Sequence, residues 1–361
     1  MRAELAVDTE GGPVFRRLVR QMGADGWLGV GWPKEFGGQG RPATDQFIFF
    51  DEVQRAAAPF PFVTLNTVGP TLMAFGSDEQ KATFLPGIVR GEINFAIGYT
   101  EPDAGTDLAS LKTRAVRDGD EYVINGNKVF TSGADQADYI WLAARTDTEA
   151  PKHRGISILL VPTSSPGFSA TPIVTVGGTK TTATYYSDVR VPVTSLVGEE
   201  NAGWRMITTQ LNHERVGLAA FSGLAHRLWQ DVAHWAAAEG RIDIPWVQLD
   251  LARTYAKVEA MRLMNWRMAA AVADGSLGPG DSSAVKVYGT ETAVEVYRIL
   301  LGIVGAAGTL RAGSPGAALG GELERAGRSA QINTFGGGVN EVQREIVASA
   351  ALGMARTART S

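Results

Sequence analysis

One short loop of the sequence has the composition of a ligand-binding segment. Residues 99–107, called the polar loop below, read Tyr-Thr-Glu-Pro-Asp-Ala-Gly-Thr-Asp and follow an apolar run. Pro102 fixes the backbone angle φ, and Gly105 lets a ligand approach the backbone closely. The hydroxyls of Thr100 and Thr106 can donate or accept hydrogen bonds. Such a loop suits a flat cofactor whose polar edge carries carbonyl and ring-nitrogen acceptors. A solvated turn with an aspartate helix cap is the alternative interpretation.

The composition excludes several other kinds of site. The sequence contains no cysteine, which rules out disulfides, thiolate nucleophiles, zinc–thiolate sites and iron–sulfur clusters. Its four histidines show no metal-binding spacing, so we expect no metal site. The 34 basic and 38 acidic residues give a formal charge of −4 without a basic stripe, and we expect no nucleic-acid partner.

The sequence predicts a cytoplasmic protein that does not engage a membrane. Acidic residues soon follow Arg2, a pattern that is not typical of a signal peptide. The longest apolar stretch, 299–307, is too short and too rich in glycine to span a bilayer. At 361 residues, the chain is long enough for two or three domains.

The elements that must position the polar loop begin with a helical region. Hydrophobic spacing predicts helices over 15–22 and 44–58. Ser77, followed by two acidic residues, predicts the start of a third helix. After residue 203 the helical pattern returns, with a break at 275–280 and a further helix at 283–301. We interpret one long stripe of apolar residues in this part as core: Leu251, Tyr255, Val258, Met261, Met264, Met268 and Val272.

Between the two helical regions the pattern changes to strands. Residues 121–130 predict a hairpin around an Asn125-Gly126 turn. Further strands are predicted at 139–144, 156–161 and 185–191. The predicted domains are a helical one over 1–94, a β domain over 95–202 and a second helical one over 203–361.

The polar loop resembles the flavin-contacting signature of acyl-CoA dehydrogenases, and the order of helical, β and helical regions resembles their fold over essentially the whole chain. The resemblance implies an α+β fold with a helical N-terminal domain, a middle β-barrel-like domain and a C-terminal four-helix bundle. It also implies FAD as cofactor and an acyl-CoA thioester as substrate. In this family's reaction a base removes the α-proton while the β-hydrogen leaves as hydride to flavin N5.

The resemblance also bears on the catalytic base. In many relatives the base lies in a stretch like Tyr-Glu-Gly-Thr, just before a helix that contains Gln-Arg. In this sequence Gln343 and Arg344 match the Gln-Arg pair, and counting back from them places Gly337, which has no side chain, at the position of the base. A minority branch, which includes isovaleryl- and long-chain-acyl-CoA dehydrogenases, carries its base in a Glu-Arg pair on another helix. Glu214 and Arg215 match that pair, so the resemblance implies Glu214 as the base. A surface ion pair of little energetic weight is the alternative.

Cofactor and substrate contacts carry over at matching positions. Phe130 stands where relatives have a tryptophan that covers the flavin ring, and Ser132 where a threonine hydroxyl reaches the N5 region. Both replacements keep the kind of contact. The implied FAD contacts are Tyr99, Thr100, Gly105, Thr106, Phe130 and Ser132. The implied acyl-CoA contacts are Thr106, Asn212 and Arg215.

Two motifs that grip FAD from a neighbouring subunit in homotetrameric relatives are incomplete. An Arg-x-x-Phe-Gly stretch should fall near 236–241, where Ala237 stands and the arginine and phenylalanine are absent. A Gln-x-x-Gly-Gly-x-Gly loop should begin at Gly302, which replaces the glutamine. The sequence thus resembles the catalytic-base subunit of the heterotetrameric (α2β2) dehydrogenases that act on steroid side-chain CoA thioesters. That resemblance implies a second, related subunit and an electron-transfer flavoprotein as acceptor.

Two other functions stay open at this point. An acyl-CoA oxidase would use dioxygen to reoxidise the flavin, and oxygen consumption without an electron-transfer flavoprotein would distinguish it. A non-catalytic structural subunit of a dehydrogenase complex would leave the activity to its partner, and Glu214 argues against that interpretation.

Overall fold

The computed structural model describes residues 11–218 and 221–355, except for the side chains of residues 211–221. By their contacts, these residues divide into two compact units. The first unit comprises the residues up to 41, 59–175 and 179–214; the second comprises 42–58, 176–178 and the residues from 215 onward. The helices, in chain order, are α1 Gly12–Ala24, α2 Ala43–Ala56, α3 Gly69–Phe75, α4 Asp78–Val89, α5 Gly203–Leu218, α6 Phe221–Ala238, α7 Pro245–Ala273, α8 Pro279–Val304, α9 Glu322–Ser329 and α10 Asn340–Ile346.

The first unit is built on a mixed eight-stranded sheet. Its strands are β1 Phe95–Gly98, β2 Arg114–Asp118, β3 Glu121–Lys128, β4 Tyr139–Arg145, β5 Ile156–Pro162, β6 Phe168–Val174, β7 Lys180–Pro192 and β8 Leu196–Val197. The order across the sheet is β6-β7-β3-β2-β4-β5-β8, and β1 pairs in parallel with β4. Strand β4 is buried along almost its whole length, because other elements cover both of its faces. The strands predicted at 139–144, 156–161 and 185–191 are confirmed.

The start of helix α4 shows why the sequence forms a helix there. The Ser77 hydroxyl accepts from the backbone N–H of Gln80 at 3.1 Å, and the Gln80 side chain accepts from the Ser77 N–H at 3.2 Å. This capping box satisfies two backbone donors that the helix itself leaves unpaired. The Gln80 amide also donates to the carbonyls of Thr194 and Leu196, at 2.8 Å each. The predicted helix start is therefore confirmed, and the cap ties α4 to the end of the sheet.

The predicted Asn125-Gly126 hairpin turn is wrong, because both residues lie inside strand β3. The pairing of β3 with β7 shifts register between Ile124 and Gly126, which marks a β-bulge. Gly126 has φ of +145°, and a Cβ added there would lie 2.7 Å from the Cα of Thr113. Asn and Gly favour a bulge for the same reasons that they favour a tight turn. The chain reverses between β2 and β3 instead, before Glu121.

The second unit is helical, and its core lies among α6, α7, α8 and α9. Val258 and Met261 of α7 pack with Val296 and Leu300 of α8 in one apolar cluster. The apolar stripe predicted as core is only partly buried: Leu251, Val258, Met261 and Met268 are buried, while Tyr255 and Val272 are exposed. The prediction fails at Tyr255, well inside α7, and at Val272, next to its end, because the helix faces solvent at both positions.

Helix α8 also bears on the predicted absence of a membrane span. Within the described residues, the stretch Pro279–Thr309 is long and apolar enough to cross a membrane by length and composition alone. The core helix of a soluble protein passes the same test, and α8 contributes Val296, Leu300, Ile303 and Val304 to the apolar cluster of its unit. Its apolar character is therefore accounted for by packing within the protein.

Candidate functional site

The polar loop leaves the end of β1 and closes on itself at once. The backbone N–H of Glu101 donates to the carbonyl of Ala104, and the N–H of Ala104 donates back to Glu101, both at 3.1 Å. Pro102 and Asp103 form the tip of this turn and are exposed. The aspartate cap of the alternative interpretation is not formed by the side chain: Asp107 precedes the short turn Leu108–Ser110, but its carboxylate pairs with Lys152 at 2.9 Å and makes no cap bond. The loop is thus a fixed turn whose outer face is open to solvent.

A buried ion pair fastens the inner side of the polar loop to strand β3. The Lys128 ammonium, with a fully buried side chain, donates to the Glu101 carboxylate at 2.8 Å and to the Tyr99 carbonyl at 3.0 Å. The same carboxylate accepts from the backbone N–H groups of Lys112 and Thr113, at 2.6 and 2.8 Å. Because every one of these groups would be costly to bury alone, the network specifies the path of the loop.

The electrostatics of this pair follow from its burial. Burial lowers the pKa of Lys128 from 10.5 to about 8, although the charge of Glu101 opposes that shift. Burial alone would raise the pKa of Glu101, but the charge and hydrogen bond of Lys128 outweigh it, and the pKa of that carboxyl is lowered. Both groups are therefore charged at neutral pH.

Arg145, at the end of β4, holds the other side of the loop. Its guanidinium donates to the carbonyls of Ala109 and Leu111, at 2.6 and 3.3 Å, and to the carbonyl of Lys152 at 2.9 Å. These bonds satisfy the carbonyls of the short turn that follows the polar loop. The sequence reasoning missed Lys128, Glu101 and Arg145, although Glu101 lies within the predicted loop and Lys128 ends the strand before Phe130.

The structure brings the two predicted cofactor-contacting segments together. The backbone N–H of Val129 donates to the Thr100 carbonyl at 2.9 Å, which places Phe130 directly beside the polar loop. Phe130 has φ of +60°, which is unfavourable for a bulky residue, and its ring is 62% exposed. Ser132 is half-buried, and its hydroxyl lies 3.0 Å from that of Thr181.

These residues fit the FAD that the resemblance implies. An exposed aromatic ring held in a strained backbone conformation offers a face for stacking, and strain of this kind is typical of ligand sites. Thr106 is exposed, and Gly105 is exposed as well. A Cβ added to Gly105 would meet no atom within 4 Å, so nothing in this chain's own packing requires glycine at that position. Close approach of a ligand to the backbone would explain why glycine occupies this position.

Tyr99 directs its side chain into the protein instead of toward solvent. Its hydroxyl donates to Oε1 of Gln210, on α5, and accepts from Nε1 of Trp141 at 2.9 Å. Gln210 and Trp141 are fully buried. A cofactor contact at Tyr99 would therefore come from its backbone, and the carbonyl of Tyr99 already accepts from Lys128. This hydrogen-bond chain was not predicted from the sequence, because Tyr99, Trp141 and Gln210 lie far apart along it.

The predicted base and two predicted substrate contacts lie outside the described side chains. Glu214, Asn212 and Arg215 belong to α5, whose backbone extends to Leu218. Gln210 and Glu214 are one helical turn apart, so the two positions lie on the same face of α5. The assignments of Glu214, Asn212 and Arg215 stay predictions.

The alternative position for a base is a glycine in the second unit. Gly337 has φ of +65° and Gly338 φ of +97°, conformations that favour glycine. The buried Lys286 of α8 donates to the Gly338 carbonyl at 2.6 Å and to the Asn340 side chain at 2.7 Å. The loop at Gly337 therefore has a defined path and no carboxylate at the position that carries the base in many relatives.

The two incomplete FAD motifs fall on exposed positions of the second unit. Ala237, near the end of α6, is exposed. Gly302, near the end of α8, is exposed too, and a Cβ added there would meet no atom within 4 Å. Longer polar side chains would fit at both positions in this chain, so internal packing does not explain their absence. No group of three or more metal-binding side chains occurs among the described residues.

Comparisons with known proteins agree with this arrangement. Family models described as the N-terminal, middle and C-terminal domains of acyl-CoA dehydrogenase match residues 2–92, 96–189 and 201–352. The acyl-CoA dehydrogenase FadE26 of Mycobacterium tuberculosis is 55% identical over 359 residues, which cover 96% of this chain and 90% of the relative. FadE29 of the same organism is 51% identical over 364 residues, covering 99% and 93%.

Solved structures are similar over the same extent. The structure described as the Tcur3481-Tcur3483 steroid ACAD has a TM-score of 0.95 and 61% identity, covering 99% of this chain and 97% of that one. The ChsE4-ChsE5 complex from Mycobacterium tuberculosis has a TM-score of 0.92 and 54% identity, covering 99% and 93%. The predicted α+β fold is confirmed. The chain belongs to the acyl-CoA dehydrogenase family and is an acyl-CoA dehydrogenase, an oxidoreductase.

Proposed function

We propose that this chain is the base-bearing subunit of a heteromeric, FAD-dependent dehydrogenase that converts a bulky acyl-CoA thioester, of the steroid side-chain kind, to the trans-2-enoyl-CoA. One contrast supports the proposal. Hydrogen bonds hold the polar loop and Phe130 in place as one side of a cofactor site. Ala237 and Gly302 are exposed and have room for the FAD-contacting side chains of homotetrameric relatives, but they lack them. The similar Tcur3481-Tcur3483 steroid ACAD and ChsE4-ChsE5 structures are each named for two proteins, which supports a second subunit.

Within this proposal, FAD when bound supplies the acceptor for the β-hydride of the substrate. The residues that would hold it are the backbone of Tyr99 and Thr100, Gly105 and Thr106 at the open side of the polar loop, and Phe130 and Ser132 beside it. The Glu101–Lys128 pair fixes the loop backbone before the cofactor arrives, so little ordering remains to be done on binding. Phe130 would shield from water the ring face that it covers.

Glu214 would remove the α-proton of the acyl-CoA, which requires a carboxylate within hydrogen-bond reach of that carbon. Asn212, Arg215 and Thr106 would contact the thioester or its CoA arm. An electron-transfer flavoprotein would accept the electrons. We propose the cytoplasm as the location of the reaction.

The base assignment is tested by Glu214→Gln in the co-purified complex. Removing the carboxylate should lower kcat by at least about a hundredfold while the flavin absorption spectrum stays unchanged. Glu79→Gln, at an exposed glutamate in the first turn of α4, is the matched control and should keep full activity. Undiminished turnover by Glu214→Gln would refute the assignment of Glu214 as the base and would favour an active site on the second subunit.

The heteromer is tested by counting flavin. Co-expression with a second acyl-CoA dehydrogenase-like subunit should yield one FAD per two chains, whereas the lone chain should bind FAD poorly. Tight, stoichiometric FAD in a lone homo-oligomer would contradict the proposal. Turnover of a steroid side-chain acyl-CoA should exceed that of a straight-chain acyl-CoA of equal acyl length, and the reverse preference would exclude the proposed substrate class.

A further inference from the structure

Gln210 is a buried polar residue that the proposed mechanism does not use. It lies on α5, one helical turn before Glu214, and its side chain is fully buried. Oε1 of Gln210 accepts from the Tyr99 hydroxyl, which also accepts from Trp141. The chain of hydrogen bonds therefore runs from strand β4 through the first residue of the polar loop to the helix that carries the predicted base.

The direction of every proton in this chain is fixed by chemistry. The indole Nε1 of Trp141 can only donate, so the Tyr99 oxygen must accept from it. The Tyr99 hydroxyl can then donate its own proton to Gln210. Because only an acceptor can receive that proton, the Gln210 atom next to the hydroxyl must be the side-chain carbonyl oxygen Oε1. The two ends of the Gln210 amide, which look alike in most structures, are thereby distinguished. Its Nε2 group is turned away from Tyr99.

The outward end of the amide has no hydrogen-bond partner in the part of the chain that the structure describes. Among the described residues, nothing accepts a hydrogen bond from Nε2 of Gln210, although the atom is buried. Buried donors in native proteins are paired with protein, water or ligand, because an unpaired one is costly. A donor fixed in direction, left unpaired and located on the face of α5 that carries Glu214 is suited to bind an acceptor on a molecule held there.

We propose that Gln210 donates through Nε2 to a carbonyl oxygen of a bound molecule, and that Tyr99 and Trp141 are positioning residues that hold the amide in the required orientation. The inference rests on the proposed function, because the thioester carbonyl of acyl-CoA and the ring carbonyls of FAD are the two sources of such an acceptor. Both sources present the same chemistry, and the experiment separates them.

Two variants of Gln210 are measured in the co-purified complex. Gln210→Met has a side chain of similar length and no donor, whereas Gln210→Glu keeps an oxygen acceptor for the Tyr99 hydroxyl but can still donate when burial keeps its carboxyl protonated. If the acceptor is on acyl-CoA, KM and the dissociation constant of the enoyl-CoA product should rise about tenfold in Gln210→Met with an unchanged flavin spectrum. If it is on FAD, the dissociation constant of FAD should rise about tenfold and the flavin absorption maximum should shift.

The positioning role has its own test in Tyr99→Phe. Loss of the hydroxyl lets the amide turn over, so the same ligand should bind about threefold more weakly and the effects of Tyr99→Phe and Gln210→Met should not add. Tyr139→Phe is the matched control: its ring packs on Phe95 at 5.4 Å in the same unit, and it should bind both ligands as the wild type does.

Wild-type affinity for both ligands in folded Gln210→Met would overturn the proposal. If that variant does not fold, Gln210→Leu, which also has no donor, is measured in the same way. The result is separable from the base assignment. An inactive Glu214→Gln together with unaltered ligand binding by Gln210→Met refutes only this inference, whereas an active Glu214→Gln refutes only the base.

Discussion

Replacing Lys128 by methionine tests whether the buried ion pair holds the polar loop. The substitution keeps a long apolar stem but removes the ammonium that donates to Glu101 and to the Tyr99 carbonyl. Glu101, only 6% exposed in its side chain, then loses the opposite charge beside it and is left with the backbone N–H groups of Lys112 and Thr113. Breaking one side of a buried pair costs about 3–5 kcal/mol, and these two donors favour the lower end, about 3 kcal/mol.

The assay is urea unfolding followed by tryptophan fluorescence, with Lys112→Met as the matched control. Lys112 belongs to the same segment and pairs with Asp103 at 3.5 Å, but the two side chains are 74% and 78% exposed. Such a pair contributes less than about 1 kcal/mol. The double variant Glu101→Gln/Lys128→Met should be less destabilised than the sum of its single changes, because it leaves no buried unpaired charge.

The pH dependence gives a second measure of the same pair. The pKa of Lys128 is about 8 in the folded protein against 10.5 for the free group. Between these values the unfolded chain binds more protons, so the Lys128 titration should raise the free energy of unfolding as pH increases from about 8 to 10.5. That contribution should vanish in Lys128→Met. Equal stabilities of Lys128→Met and Lys112→Met, with identical pH profiles, would refute the reasoning.

Three further substitutions test other parts of the structure. Gly126→Ala places a Cβ against Thr113 at a φ of +145°, so it should cost more than about 1 kcal/mol of stability; unchanged urea unfolding would contradict the bulge. Ser77→Ala removes a helix cap and should cost about 1 kcal/mol, with Ser77→Asp restoring most of it; a neutral Ser77→Ala would show that the cap is idle. Lys286→Met leaves the Gly338 carbonyl without its donor and should lower the midpoint of thermal unfolding through a loss of about 3 kcal/mol, while an unchanged midpoint would argue that water replaces the ammonium.

The parts of the fold that were predictable rest on local patterns. Strand β5 and the start of α4 were foreseen because alternation, apolar runs and a serine cap act within a few residues. The polar loop was foreseen because its proline, glycine and hydroxyls occur in one short stretch. The Asn125-Gly126 pair shows the limit of such patterns, because the same two residues suit a hairpin turn and a bulge equally well.

The supports of the candidate site were not predictable, because they join residues that are distant in sequence. Lys128 and Glu101 are charged residues, and charged residues are rarely buried, so neither marks itself as interior. Tyr99 and Gln210 meet across more than a hundred positions, and no local pattern relates them. The sequence indicates which groups could contact a ligand; only the fold identifies which groups hold them in place.

The network around Glu101 has a consequence for the order in which this region opens. One carboxylate binds the amides of Lys112 and Thr113, and the amide of Val129 binds the polar loop itself. Lys128 cannot reach water unless these bonds break as well. The region should therefore open as one cooperative unit. In deuterated water, the backbone amides of Lys112, Thr113 and Val129 should exchange their hydrogens with a single opening free energy, because the Lys128 ion pair must open with them. The loop would not open from its tip alone, and the proposed cofactor-contacting surface would be either complete or lost.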